Sequence, residues 1–200
     1  MRNTRLEKSD VTRSQQGRKS SSISLRLLLL VALTLLSFIV CAHNTTHLQD
    51  QADISSLTIG YAQGTDEIGN GNLAAGKALY AKCFTDDAQF EGLFPNGDLQ
   101  KSASPNAWAD FVATAFEGAG YTTTQHLVGT IDVSVEGDTA TMTSEVHATH
   151  VLPDGGMDVA NGKYTDTVVM TSNGWRISKR KLKLITFINI PAGKPKVGGD

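Results

Sequence analysis

The stretch that most restricts the fold runs from His126 to His150, HLVGTIDVSVEGDTATMTSEVHATH. Leu127, Gly129, Ile131, Val133 and Val135 alternate with Val128, Thr130, Asp132 and Ser134. After Glu136-Gly137-Asp138, the residues Ala140, Met142, Val146 and Ala148 alternate with Thr141, Thr143, Glu145 and Thr149. Period-two alternation rich in Val, Ile and Thr, broken by a Gly-Asp turn, specifies two antiparallel strands joined as a hairpin. Continuing the second alternation places His150 on the apolar face with Met142 and Val146. A histidine there is either a satisfied core residue or part of a pocket wall. Which of the two it is depends on what the other elements bring to that face.

Three helices are expected upstream. Asp53 caps the first, with Ile54, Leu57, Tyr61 and Ala62 on one side. Gly60 and Gly64 weaken it, and Gly69-Asn70-Gly71-Asn72 ends it. The second runs from Leu73 to Phe84, with Leu79, Tyr80, Cys83 and Phe84 at helical spacing. A short strand over Ala88–Glu91 and a loop at Phe94–Asp98 follow. Pro105 opens the third helix, which carries Trp108, Phe111, Val112, Ala115 and Phe116 on one side. Downstream of the hairpin and the Pro153–Gly156 turn, strands are expected over Gly162–Thr171 and Trp175–Ile190, joined at Ser172-Asn173-Gly174. Three helices followed by a meander of long strands is an α+β layout, with the helices on one face of an antiparallel sheet.

The amino terminus reads differently. Residues 1–26 carry seven basic and two acidic side chains, and Leu27–Ala42 is unbroken apolar sequence. A basic stretch before an apolar run shorter than the roughly 20 residues of a spanning helix is a secretory signal, with a membrane anchor over 1–42 as the alternative. Val40 stands where a lipid-attachment signal ending at Cys41 wants a smaller residue. Residues 43–52 are expected as a polar linker, in which Asn44-Thr45-Thr46 is formally a glycosylation sequon. The domain occupies 53–190, and 191–200 form a disordered tail. Of 18 basic and 20 acidic residues, 11 and 18 remain once residues 1–26 are set aside. An acidic domain of this kind argues against a nucleic-acid partner. The cluster Arg176, Lys179, Arg180, Lys181 and Lys183 reads as a solvated strand face. Cys83, the remaining thiol, has no disulfide partner within the domain and reads as buried packing.

Little chemistry survives elimination. His147 and His150 lie on opposite faces of a strand and cannot share a metal. No G-x-S-x-G is present, and the GNGN stretch has no strand before it, so it is not a nucleotide loop. Acid–base chemistry remains, with Asp66, His126, His150, Tyr61 and Tyr164 as candidates.

The arrangement of Gly64-Thr65-Asp66, Thr124-Gln125-His126, a strand ending at His150, Gly162-Lys163-Tyr164 and Gly174-Trp175-Arg176-Ile177 resembles the SnoaL-like group of the nuclear-transport-factor-2-like superfamily. Scytalone dehydratase and bile-acid dehydratase belong to that group. The resemblance spans Ile54 to Ile190. It implies a curved antiparallel sheet closed by three N-terminal helices into a cone with an apolar pocket, and a homodimer. In scytalone dehydratase an aspartate ending helix one pairs with a histidine late in the second long strand, while another histidine opens the first. Those positions match Asp66, His150 and His126. Thr65, Gly92, Gly162 and Tyr164 stand where that enzyme has tyrosine, tyrosine, serine and asparagine.

The resemblance thus implies His150 as base, Asp66 as its orienter, and His126 or a tyrosine hydroxyl stabilising an enolate. Tyr61 and Tyr164 would touch the substrate. Two functions follow. One is an exported dehydratase or isomerase, needing no cofactor or metal, acting on a small hydrophobic carbonyl compound. The other is a non-catalytic pocket domain for a hydrophobic ligand or a partner protein.

Overall fold

The computed structural model describes residues 47–193. The segment expected to direct export and most of the expected tail lie outside them. Helix α1 covers 47–69. The last part of the expected linker is therefore helical, and Asp53 lies inside the helix rather than at its cap, taking a hydrogen bond from Gln49 (2.8 Å). Ile54, Leu57, Thr58, Tyr61, Ala62, Thr65 and Ile68 are buried, at the three- and four-residue steps of one helix face.

Helix α2 (Leu73–Cys83) returns antiparallel to α1 after Asn72, whose side chain caps it. Gly60, Gly64 and Gly76 sit where the two helices meet: a Cβ on them would lie 2.7 Å from Cys83 Sγ, 2.8 Å from Tyr80 and 2.4 Å from Ile68. The glycines that lower the propensity of α1 are thus the ones that let α2 approach it. Helix α3 (Pro105–Ala119) is capped by Ser104, opens on Pro105 and closes on Gly120 at φ 74°. Among the described residues no helix is long and apolar enough to cross a membrane.

The strands are β1 (Phe84–Leu93), β2 (Leu99–Ser102), β3 (Thr123–Glu136), β4 (Thr139–Val151), β5 (Met157–Thr171) and β6 (Gly174–Ile190). They form one open sheet in the order β2-β1-β6-β5-β4-β3. The α+β class is as expected, with two corrections. β1 runs parallel to β6, so the sheet is mixed rather than wholly antiparallel. The short strand expected over Ala88–Glu91 is also longer than expected and pairs with β2 as a hairpin between the second and third helices. Phe84, expected to end α2, instead begins β1.

Bulges decide which side chains face the helices, and two of them bear on the sequence reading. In β3, Gly129 pairs with Glu145 but Asp132 with Thr143, leaving two residues opposite one, and Thr130 takes φ 49°. An extra residue reverses the alternation. Val128 therefore joins Ile131, Val133 and Val135 against the core, while Leu127 is exposed. In β6, Lys179 pairs with Thr167 but Ile177 with Val168, so Ser178 is the extra residue. Trp175 and Ile177 lie inside before it, and Arg180 after it. The basic cluster is accordingly not one solvated face.

Candidate functional site

Asp66 lies in the last turn of α1 and reaches the beginning of β3. Its Oδ1 accepts from His126 Nδ1 (2.7 Å) and from Thr124 Oγ1 (3.1 Å), and its Oδ2 accepts from the His126 backbone N–H (3.1 Å). Three donors converge because β3 passes close to the helix end, where Gly69 leaves room for Thr124. The His126 side chain is 9% exposed and that of Asp66 25%. A carboxylate on Nδ1 holds the Nδ1–H tautomer and leaves the lone pair on Nε2.

This pairing corrects the expected one. Asp66 orients His126, not His150. The ladder explains the difference: His150 lies opposite Asp158 in β4–β5, and its Nδ1 donates to the Asp158 carbonyl (3.3 Å). Burial, and secondly the neighbouring His126, push the His150 imidazole down to about 4. At neutral pH it is an uncharged ring. The two imidazoles stand 5.4 Å apart in a T-shaped arrangement, and both line one cavity.

That cavity has a volume of about 230 Å³. Helix α1 contributes Tyr61 and Thr65, and α3 contributes Trp108, Phe111 and Phe116. Val146, Ala148, Ala160, Leu182 and Leu184 form its floor from the sheet. Tyr61 and Tyr164, expected at the substrate, are both in its wall, whereas Asp66 stands behind His126. Trp108 Nε1 donates to Tyr61 Oη (3.0 Å). Among the described residues no group of three metal-ligating side chains is present.

Two parts of the site were not expected from sequence. Tyr121, just beyond α3, covers His150 at 4.8 Å between ring centroids and donates to Asp158 Oδ2 (2.6 Å). Burial, with the Asp158 bond next, raises its phenol well above the ordinary range. Nothing in Ala119-Gly120-Tyr121 beyond a helix stop announces this. The second is Arg180, which binds Asp166 through Nε (2.8 Å) and Nη2 (2.6 Å) beneath the cavity. Its signal was available: Arg180 alternates with Leu182 and Leu184, and Asp166 with Tyr164 and Val168.

The description of a SnoaL-like domain matches residues 46–181. The chain belongs to the SnoaL-like domain family. Its fold is of the nuclear-transport-factor-2-like type. Among solved structures, a candidate aromatic ring hydroxylase from Novosphingobium aromaticivorans is 25% identical, with a TM-score of 0.58, over 71% of this chain and 94% of its own. A candidate scytalone dehydratase from the same organism is 20% identical, with a TM-score of 0.58, over 78% and 99%. The hexachlorocyclohexane dehydrochlorinase LinA-type3 from Novosphingobium barchaimii is 16% identical, with a TM-score of 0.61, over 76% and 99%. Among curated proteins, none matches the chain. This SnoaL-like domain therefore shares its fold with proteins of differing chemistry, and the fold alone does not select one of them.

Proposed function

We propose that this SnoaL-like domain is a cofactor-independent lyase or isomerase acting on a small apolar carbonyl compound, with His126 as general base. The observation that carries this reading is the 2.7 Å contact of Asp66 with His126 at the wall of an apolar cavity. Asp66 offsets the imidazolium charge that forms when His126 Nε2 removes a proton alpha to the carbonyl. The electron pair moves toward the carbonyl oxygen as an enolate, which the Tyr61 and Tyr164 hydroxyls are placed to receive. If a hydroxyl leaves from the neighbouring carbon, it departs as water with the proton that His126 holds. If none is present, the proton returns at another carbon and the product is an isomer. Elimination is the chemistry named for two proteins that share this fold, a candidate scytalone dehydratase and a dehydrochlorinase. His150, uncharged and covered by Tyr121, contacts the ligand as a neutral ring in this scheme.

The cavity restricts the ligand. About 150 Å³ suffices for benzene in an apolar cavity, so about 230 Å³ fits one substituted ring or two fused rings. β-Tetralone, a two-ring ketone with an acidic alpha position, is a suitable probe. Deuterium uptake at that carbon, followed by NMR in the full chain, should exceed the buffer rate and drop about 10²–10⁴-fold in His126→Ala. Binding of the ketone without faster exchange would instead support a ligand-binding module, the reading favoured by the apolar character of the remaining wall.

A further inference from the structure

Arg180 is 1% exposed and is the largest fully buried side chain among the described residues. Asp166 binds it through two nitrogens, and Nη2 also donates to Thr58 Oγ1 (3.0 Å). Its Nη1 makes no hydrogen bond among the described residues. The guanidinium carbon lies 4.2 Å from the Tyr61 ring centroid and 4.3 Å from that of Tyr164. The two rings meet in a T-shaped corner, 5.6 Å apart. Both tyrosines line the cavity, and Arg180 does not.

Stability is a poor explanation for burying such a pair. Desolvating two charges offsets most of their attraction, and apolar replacements of similar size are often as stable. What the pair does is set a cation against the only two tyrosine rings in the wall that also bear on Arg180. A cation there draws electron density from a phenol ring and makes its hydroxyl a stronger donor. Tyr61 Oη accepts from Trp108 Nε1, which uses an oxygen lone pair and leaves the O–H proton for another acceptor.

We infer that Arg180, acting through Tyr61 and Tyr164, makes the cavity selective for planar apolar ligands whose oxygen takes on negative charge, namely enols and phenols. The inference rests on the proposed enolate chemistry and names the residue that tunes it. Burial holds the Tyr164 phenol well above the ordinary range, and the Arg180 cation opposes it.

para-Nitrophenol tests this, because its absorbance reports ionisation. The pH at which the bound probe ionises is measured in the full chain for wild type, Tyr164→Phe, Asp166→Asn and the paired replacement Asp166→Leu with Arg180→Met. para-Nitroanisole, which has no proton to lose, controls for an intact cavity. Tyr164→Phe and the paired replacement should each raise the ionisation pH by about one unit, a tenfold change. Asp166→Asn, which keeps the cation and neutralises its partner, should lower it. Para-nitroanisole should still bind in every variant, which shows that the cavity is intact. A shift in Tyr164→Phe with none in either variant of the pair would reduce Arg180 to packing and leave the site chemistry standing. No shift in Tyr164→Phe, or no uptake of the probe by wild type, would remove the enolate reading and the inference with it.

Discussion

Burial, then His126, holds the His150 imidazole at about 4, against about 6.5 for an unfolded histidine. Between those values the unfolded chain binds a proton that the folded chain excludes. This contribution to stability is therefore fully present above about pH 6.5 and is lost as pH falls toward 4. The loss approaches about 3 kcal/mol. Urea midpoints taken across that range should fall in wild type and fall less in His150→Gln; identical slopes would contradict the burial argument. Cys83 is governed by the same cause. Burial pushes its thiol up to about 11, so a thiol reagent at neutral pH should label it only after unfolding. At this scale the sequence identified Asp66, His126 and His150 as the groups worth watching but joined the wrong two. Alternation shows which face a residue takes. It does not show that the end of α1 meets the beginning of β3 while His150 is already engaged across the ladder by Asp158.

Element pairing turns on close approach. A methyl on Gly76 would press into Ile68 and into the Gly64 carbonyl oxygen at 2.7 Å, where backbone leaves no easy escape. Gly76→Ala should destabilise by about 1–3 kcal/mol, read as a lower urea midpoint with an unchanged slope. Most elements were legible because their periodicities are long: the hairpin, α3 and the last strand sit close to where spacing puts them. β2 was not, since four residues, Leu99–Ser102, are too few to show a period. The bulges were missed for a related reason. Strict alternation assigns Leu127 and Val128 to opposite sides correctly, but only the extra residue at Thr130 decides which side is inside. Deleting Thr130 would remove the extra residue and bring Val128 into step with Ile131, so Leu127 should stay exposed and His126 should keep its contact with Asp66. Asp66→Ala should then lower the urea midpoint of the deletion variant as much as that of wild type; no effect in the deletion variant would mean that the contact had been lost.

At the scale of the whole domain, Arg180 touches three elements, joining β6 to β5 through Asp166 and to α1 through Thr58. Asp166→Ala leaves a buried cation unpaired and should cost about 3–5 kcal/mol, whereas replacing both partners with apolar residues should restore most of that loss. Equal losses in the single and paired variants would mean that the charges themselves hold the fold. The sheet also has two free borders. One is β2, too short to matter; the other is β3, with 14 residues. A straight strand of that length would offer a second molecule a row of amide and carbonyl groups to extend. The kink at Thr130 interrupts that row midway, so the residue that lets Val128 and Ile131 share one side also guards the molecule against joining its neighbours border to border.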